Sequence, residues 1–173
     1  DTRHAYEGGT VMSIQAVVEW TRQMRCRLAM LTGGEPLLQS AAQPLLAALC
    51  DEGLETLLMT NGSLDMSGVD GRVIRCMDVK CPSSGQSESM LWSNLACLRP
   101  ADEIKFVLAD RNDYEFASGV VREHQLIDRC VVIFSPAFGL LEPRQLAEWI
   151  LSDGLEVRLG LQLHRIIWPE AER

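Results

Sequence analysis

The chain has 173 residues, of which 47% are hydrophobic and 23% charged, a composition typical of one globular domain. Because a domain of this length removes about 70% of its unfolded surface from water, it needs neither disulfides nor a structural metal, and small stapled scaffolds are excluded. Sixteen basic against 24 acidic residues give a net charge of -8, which repels phosphate backbones and argues against nucleic acid as a direct partner.

The sequence predicts a soluble chain with reduced cysteines. No apolar run approaches the roughly 18 to 20 residues that span a bilayer, and the first residues do not resemble a signal peptide, so we expect a cytoplasmic protein without a membrane partner. Six cysteines lie in apolar segments without a CxxC pair or a repeating interval: Cys26, Cys50, Cys76, Cys81, Cys97 and Cys130. In a chain of this length the pattern favours buried thiols over disulfides.

The first third of the chain alternates helix and strand patterns. Apolar residues at helical spacing predict a helix over 11–24 with Ser13 as N-cap. A short apolar run at 27–31, a helix over 37–50 interrupted by Pro44, and a strand over 55–60 follow. Gly53 is a natural stop between the last two.

The alternation continues to the C-terminus. The patterns predict strands near 72–79, 103–108, 131–134 and 156–163, with helices near 87–97, 112–125 and 143–152 between them. Strand, helix and strand in this order imply right-handed parallel crossovers and an α/β fold. The periodicity leaves open whether the sheet is doubly wound or a curved partial barrel. No linker divides the chain, so one domain over 1–173 is expected.

In both architectures a ligand binds beyond the C-terminal ends of the strands. The first such end contains Gly33 and Gly34, which lack Cβ atoms and so let the backbone approach a ligand closely, while Pro36 suits the start of a helix. A tight turn that binds nothing is the alternative. The segment is not a phosphate loop, because GxGxxG and GxxxxGK are both absent.

Polar residues also follow the later strands. Asn61 precedes a glycine, Asp78 and Lys80 share one face of an extended segment, and Gln162 and His164 are predicted to share a face of the last strand. Each has an ordinary structural alternative: a turn, a surface ion pair, a structural histidine. Polar or glycine-rich residues at six consecutive strand ends argue for a ligand site more strongly than any one of them.

The segments TGGEPLLQ, TNGSLD, DVKCPSSG, DEIKFVLADRNDYEFA, VIFSPAFG and LQLHRIIWPEAER occur in this order. In order and spacing they resemble the 7-carboxy-7-deazaguanine synthases, radical S-adenosylmethionine enzymes of the queuosine pathway. GGEP alone would indicate only the radical S-adenosylmethionine superfamily. The opening Asp1-Thr2 also fits, because in the family these residues directly follow the last cysteine of a CxxxCxxC loop.

The resemblance implies a lyase that converts 6-carboxy-5,6,7,8-tetrahydropterin to 7-carboxy-7-deazaguanine with loss of ammonia. It implies S-adenosylmethionine, a [4Fe-4S] cluster and Mg²⁺ as cofactors, and the protein would supply placement and a dry cavity. The implied fold is a partial parallel (β/α) barrel of the radical S-adenosylmethionine type. A homodimer and an external electron donor such as flavodoxin are implied as partners.

Site residues carry over from the family motifs position by position. Thr2 would bind Mg²⁺ through its hydroxyl, since hard cations take oxygen ligands. The substrate would contact Thr32, Gln162 and His164. The cofactor S-adenosylmethionine would be bound by Gly33, Gly34, Glu35, Asn61, Asp78, Val79, Lys80, Ser135, Pro136, Ala137 and Phe138. No catalytic side chain is expected, because the cofactors carry the chemistry.

The chain departs from the family at its start. It begins one residue after the third cluster cysteine, the first strand is missing, and no three of its own cysteines form one tight loop. We therefore expect the chain as it stands to hold no cluster and to be inactive. Two other hypotheses stay open: another radical S-adenosylmethionine enzyme, such as an activase of a glycyl radical enzyme, and a cluster-free α/β binding domain.

Overall fold

The computed structural model describes residues 9–168, and these fall into two units. The first unit consists of the chain up to Met77 together with Leu91–Cys97, and the second of Asp78–Met90 together with the chain from Leu98 onward. Thr2, the predicted Mg²⁺ ligand, lies outside the described residues. Among the described residues no helix is long and apolar enough to cross a membrane.

The described part of the first unit contains two α-helices and strands that pair in parallel. In chain order these are α1 (Ile14–Gln23), β1 (Leu28–Leu31), α2 (Ala42–Asp51), β2 (Glu55–Thr60) and β3 (Ile74–Val79), whose last two residues belong to the second unit. Parallel pairing joins β1 to β2 and β2 to β3, so sheet order follows chain order. The predicted parallel strands are confirmed here.

Local signals set the ends of the helices. The Ser13 side chain accepts a hydrogen bond of 3.1 Å from the Ala16 amide, which confirms it as the N-cap of α1. Gly53 follows α2 with φ of 74°, a left-handed conformation that glycine adopts without steric cost. Pro44 does not interrupt α2: it is the third residue, where the missing amide hydrogen has no intrahelical partner to lose.

The predicted helix over 87–97 is wrong. The structure has separate 3₁₀ turns at Ser87–Ser89 and Trp92–Cys97 instead. Asn94, in the second turn, is buried and bonds to the loop after β2: its amide nitrogen donates to the carbonyls of Gly62 and Leu64, and its oxygen accepts from the Met66 amide. These tertiary hydrogen bonds override a local helical pattern.

Replacing Asn94 with alanine is expected to destabilise the first unit. The change removes the acceptor of the buried Met66 amide, the side-chain donor to Leu64 and one of two donors to the Gly62 carbonyl, at a cost of about 2 to 3 kcal/mol in the free energy of unfolding. Chemical denaturation measures it. Ser93→Ala, at the exposed neighbouring position in the same turn, is the control and should stay within about 0.5 kcal/mol of the unmodified protein. Equal midpoints for both variants would contradict this role of Asn94.

The second unit continues the alternation of strands and helices. It contains β4 (Glu103–Leu108), α3 (Arg111–Glu123), β5 (Val131–Pro136), α4 (Pro143–Ser152), β6 (Arg158–Leu159) and α5 (Leu163–Ile167). Parallel pairs join β4 to β5 and β5 to β6. Its core includes Phe106, Phe134 and Tyr114, whose rings meet edge to face at centroid distances of 5.5 and 5.9 Å.

The last predicted strand, 156–163, is mostly wrong. Only Arg158 and Leu159 pair with β5, opposite Ile133 and Phe134. Beyond them the amides of Leu163 and Arg165 donate to carbonyls two or three residues earlier in the chain, which turns the backbone into α5. Gln162 and His164 therefore do not share a face of a strand; Gln162 is the N-cap residue of α5 and His164 its second residue.

Candidate functional site

The glycine pair lies in the loop after β1 in a left-handed conformation. Gly33 has φ of 94° and Gly34 φ of 43°, values that residues with a Cβ rarely adopt. Glycine adopts these angles because it has no Cβ atom. At two successive positions the loop therefore exposes backbone without a side chain. Thr32, which precedes them, is exposed.

The Glu35 carboxylate ties this loop to the loop after β2. Glu35 is only 5% exposed, and its oxygens accept from the Leu37 amide at 3.0 Å, the Asn61 amide at 2.8 Å and the Thr60 hydroxyl at 2.9 Å. β1 and β2 run parallel, so their C-terminal loops lie at one edge. Two of the predicted cofactor residues, Glu35 and Asn61, are thus directly bonded, and the carboxylate faces inward as a support of both loops.

A cavity of about 570 Å³ adjoins the same loop within the first unit. Its volume falls within the range of small-molecule sites. Thr10, Thr32 and Gln39 contribute polar groups to a mainly apolar lining, which also includes residues of 9–12, α1, β1 and α2. Among the residues predicted to contact the substrate, Thr32 is the one that this cavity includes.

In the second unit, the end of β3 carries a partly buried ion pair. The Lys80 ammonium donates to one oxygen of Asp78 at 2.8 Å, and their side chains are 17% and 25% exposed. The other Asp78 oxygen is buried without a hydrogen-bond partner among the described residues. A carboxylate oxygen in that state is costly unless a donor reaches it, which fits a place where a ligand completes the site. The Val79 side chain is buried, so only its backbone is available for binding.

The end of β5 also carries a buried oxygen without a hydrogen-bond partner among the described residues. The Ser135 hydroxyl is buried, with the residue 1% exposed, and it lacks a hydrogen-bond partner in the described part of the chain. Pro136 is buried beside it, and the Ala137 amide donates to the Leu108 carbonyl. Phe138 is 61% exposed, and its amide donates to the Gln162 side chain at 3.3 Å. The structure thereby brings a predicted cofactor residue and a predicted substrate residue together.

Sequence reasoning missed Asp113, a buried carboxylate at the start of α3. It accepts from the Ser83 amide at 3.0 Å, from the Ser83 hydroxyl and from the Ala109 amide at 2.9 Å. Its own amide donates to the N-cap Asp110. The signal was present in DRND, where two acidic residues three apart suit a helix start, but the partner at Ser83 is not legible from spacing.

The described residues do not form a site for an iron–sulfur cluster. Among residues 9–168 no group of three histidine, cysteine or acidic side chains is placed to hold a metal. All six cysteines are free thiols, of which three are buried. Burial raises the pKa of Cys130 to about 11 and raises the pKa of Cys81 further. Both are therefore protonated near neutral pH, whereas thiolates are the usual cluster ligands.

Two solved structures share this fold. QueE from Escherichia coli gives a TM-score of 0.69 at 19% identity, covering 87% of this chain and 64% of that chain. SuiB from Streptococcus suis, with S-adenosylmethionine bound, gives 0.62 at 12% identity, covering 96% of this chain and 48% of that chain. This chain thus spans less than two thirds of either one. The chain has the α/β fold of these two structures, which confirms the predicted fold class.

Sequence comparison gives the family within that class. A 7-carboxy-7-deazaguanine synthase of Chlorobaculum tepidum is 45% identical over 175 residues, covering 99% of this chain and 80% of the relative. One of Koribacter versatilis is 40% identical over 188 residues, covering 99% and 83%. No family model matches the chain. The chain belongs to the 7-carboxy-7-deazaguanine synthase family, and the predicted family and enzyme class are confirmed.

Proposed function

We propose that the protein binds S-adenosylmethionine at its strand ends and converts 6-carboxy-5,6,7,8-tetrahydropterin to 7-carboxy-7-deazaguanine with loss of ammonia. The observation that carries this proposal is the pair of buried, unpartnered oxygens on Asp78 and Ser135, at two strand ends where the family grips its cofactor. Polar atoms buried without partners are rare in folded proteins, and each calls for a partner from outside the chain, such as a water or a ligand.

The chain's own residues fit S-adenosylmethionine. When bound with a reduced cluster, this cofactor supplies the radical that abstracts hydrogen from the substrate. Gly33 and Gly34 offer bare backbone to its methionine end, and Glu35 holds that loop against Asn61. The buried oxygens of Asp78 and Ser135 offer acceptors. The remaining proposed cofactor contacts are Val79, Lys80, Pro136, Ala137 and Phe138.

The substrate contacts are proposed with different kinds of support. Thr32 lines the 570 Å³ cavity and has a hydroxyl that both donates and accepts hydrogen bonds. Gln162 is joined to the amide of Phe138, which supports a place beside the cofactor loop. His164 is exposed on α5. Its proposed contact with the substrate is supported only by this exposure, which leaves the side chain accessible to a ligand.

The remaining parts of the proposal follow from the family. The described residues do not fit a [4Fe-4S] cluster, so its ligands would come from the family's CxxxCxxC loop. Mg²⁺ would bind Thr2, which lies outside the described residues. We further propose a single radical S-adenosylmethionine core domain over 1–173, a cytoplasmic homodimer and an external electron donor such as flavodoxin.

The test uses the full-length enzyme with the CxxxCxxC loop, reconstituted anaerobically with iron and sulfide. We expect about one four-iron cluster per chain and turnover of the carboxytetrahydropterin that is faster with Mg²⁺. Iron and sulfide analysis and product detection by mass spectrometry measure this. Cleavage of S-adenosylmethionine without conversion of the pterin would favour another radical enzyme, and failure to bind S-adenosylmethionine would favour a cluster-free binding domain.

Replacing Thr2 with alanine tests the proposed metal ligand. Loss of one hard oxygen ligand should move the Mg²⁺ titration of turnover to higher concentration. Thr21→Ala is the matched control and should leave that titration in place, because the Thr21 hydroxyl donates to the Val18 carbonyl within α1 and does not line the cavity. An unchanged Mg²⁺ response in the Thr2 variant would remove this residue from the metal site.

A further inference from the structure

Asp113 stands out among the buried acidic residues because it joins two strand ends of the second unit. Its carboxylate accepts from Ser83, in the turn after β3, and from Ala109, the residue directly after β4. The side chain is fully buried. A buried carboxylate is tolerated only when hydrogen-bond donors satisfy it, and here the three donors all lie on Ser83 and Ala109.

The turn at Ser83 continues the segment that the proposed function assigns to the cofactor. Asp78 and Val79 end β3, Lys80 follows directly, and the 3₁₀ turn Pro82–Ser84 begins two residues after Lys80. Ser84 closes this turn, since its amide and hydroxyl both donate to the Cys81 carbonyl. The position of Ser83 therefore sets the direction in which the chain leaves Lys80.

Asp113 is itself held in place. Its amide donates to the side chain of Asp110, the N-cap of α3, at 2.9 Å. α3 has 13 residues with a buried apolar face, so the carboxylate projects from a rigid element. Binding loops that are ordered before the ligand arrives avoid an entropic cost on binding, and groups that lock such loops raise affinity without touching the ligand.

We propose that Asp113 is a positioning residue that fixes the loop after β3 and thereby sets the affinity for S-adenosylmethionine. This inference rests on the proposed function. The proposed effect of Asp113 is indirect, through its hydrogen bonds to Ser83 and Ala109. Its negative charge also contributes to the raised pKa of Cys81, after burial, which agrees with its closeness to this loop.

The test compares Asp113→Asn with Glu115→Gln in the full-length, cluster-loaded enzyme. In Asp113→Asn an NH₂ group must face either the Ser83 amide or the Ala109 amide, and both amides can only donate, so α3 loses its bond to one of the two loops. We expect the Kd and KM for S-adenosylmethionine to rise about tenfold, with kcat and the KM for the pterin within about twofold of the unmodified enzyme. Glu115, exposed on the same helix and paired with Arg111, should leave all four values unchanged.

Two further measurements keep the proposal open to refutation. Ser83→Ala removes only the hydroxyl bond to Asp113 and should weaken S-adenosylmethionine binding about threefold. In the double variant with Asp113→Asn, binding should be no weaker than in Asp113→Asn alone, since both changes act through the contact between Ser83 and Asp113. Hydrogen exchange of 81–85 should be faster in Asp113→Asn than in Glu115→Gln. Unchanged S-adenosylmethionine affinity in both the Asp113 and Ser83 variants would overturn the inference alone. Absence of binding by the unmodified enzyme would overturn the proposed function as well.

Discussion

Replacing Glu35 with glutamine is expected to destabilise the protein and to weaken cofactor binding together. Glutamine has the same shape, but one of its terminal atoms is an NH₂ group. The two carboxylate oxygens of Glu35 face the amides of Leu37 and Asn61, and both amides can only donate. Whichever way the glutamine is turned, one of these partly buried amides loses its acceptor. Loss of a buried hydrogen bond to a charged group costs about 2 to 3 kcal/mol.

Thermal unfolding and calorimetric titration measure the two effects. For a chain of this size the loss corresponds to a melting temperature roughly 5 to 10 °C lower. Glu55→Gln is the matched control, because Glu55 begins β2 in the same unit with an exposed side chain, and it should melt within about 1 to 2 °C of the unmodified protein. Equal melting temperatures for the Glu35 and Glu55 variants would show that the hydrogen bonds of Glu35 do not support the loops after β1 and β2.

The elements that the sequence predicts correctly have strong local signals. Strands 55–60 and 103–108 alternate buried and less buried residues along their length, and the structure has them at these bounds. Pro143 at the first helical position predicts the start of α4 for a similar reason, since its fixed φ suits a helix and it has no amide hydrogen to lose. Where periodicity and end signals agree, tertiary contacts need only reinforce them.

The elements that the sequence misses depend on partners distant in the chain. Asn94 breaks a helical pattern because its amide bonds to a loop about 30 residues earlier. Asp113 bonds to Ser83, also 30 residues away. Nothing in either local segment encodes these partners. β6 has the opposite cause, because it ends where hydrogen bonds between near neighbours in the chain replace pairing with β5.

The candidate site was predictable as a set of strand ends, but the roles of its members were not. Gly33 and Gly34 have the positive φ values that a glycine pair predicts. Glu35 follows them in sequence, yet its carboxylate faces the loop after β2 rather than open space, which only the three-dimensional arrangement reveals. Buried oxygens without partners, as on Ser135, have no sequence signal at all.

Substitution of Gly34 is expected to affect both stability and cofactor affinity, and the structure allows the two to be separated. At φ of 43° an alanine is strained by about 1 kcal/mol, and a valine by more because its side chain branches at Cβ. A domain with at least about 5 kcal/mol of stability stays more than 99% folded after losing 1 kcal/mol. Any marked fall in S-adenosylmethionine affinity in Gly34→Ala therefore cannot come from unfolding.

Gly53→Ala supplies the matched control for backbone strain. Gly53 also has a left-handed φ, 74°, and a Cβ built there would meet no atom within 4 Å, so its substitution costs strain alone, at the end of α2 and away from the proposed cofactor loops. If Gly34 is glycine so that the cofactor can approach, Gly34→Ala and Gly53→Ala should both melt a few degrees lower. Of these two variants, only Gly34→Ala should lose affinity for S-adenosylmethionine, by about tenfold or more. Gly34→Val should lose more affinity still. Melting curves beside calorimetric titration with S-adenosylmethionine on the full-length enzyme decide this. Lowered melting with unaltered binding in the Gly34 variants, as in Gly53→Ala, would reduce the glycine pair to a structural turn.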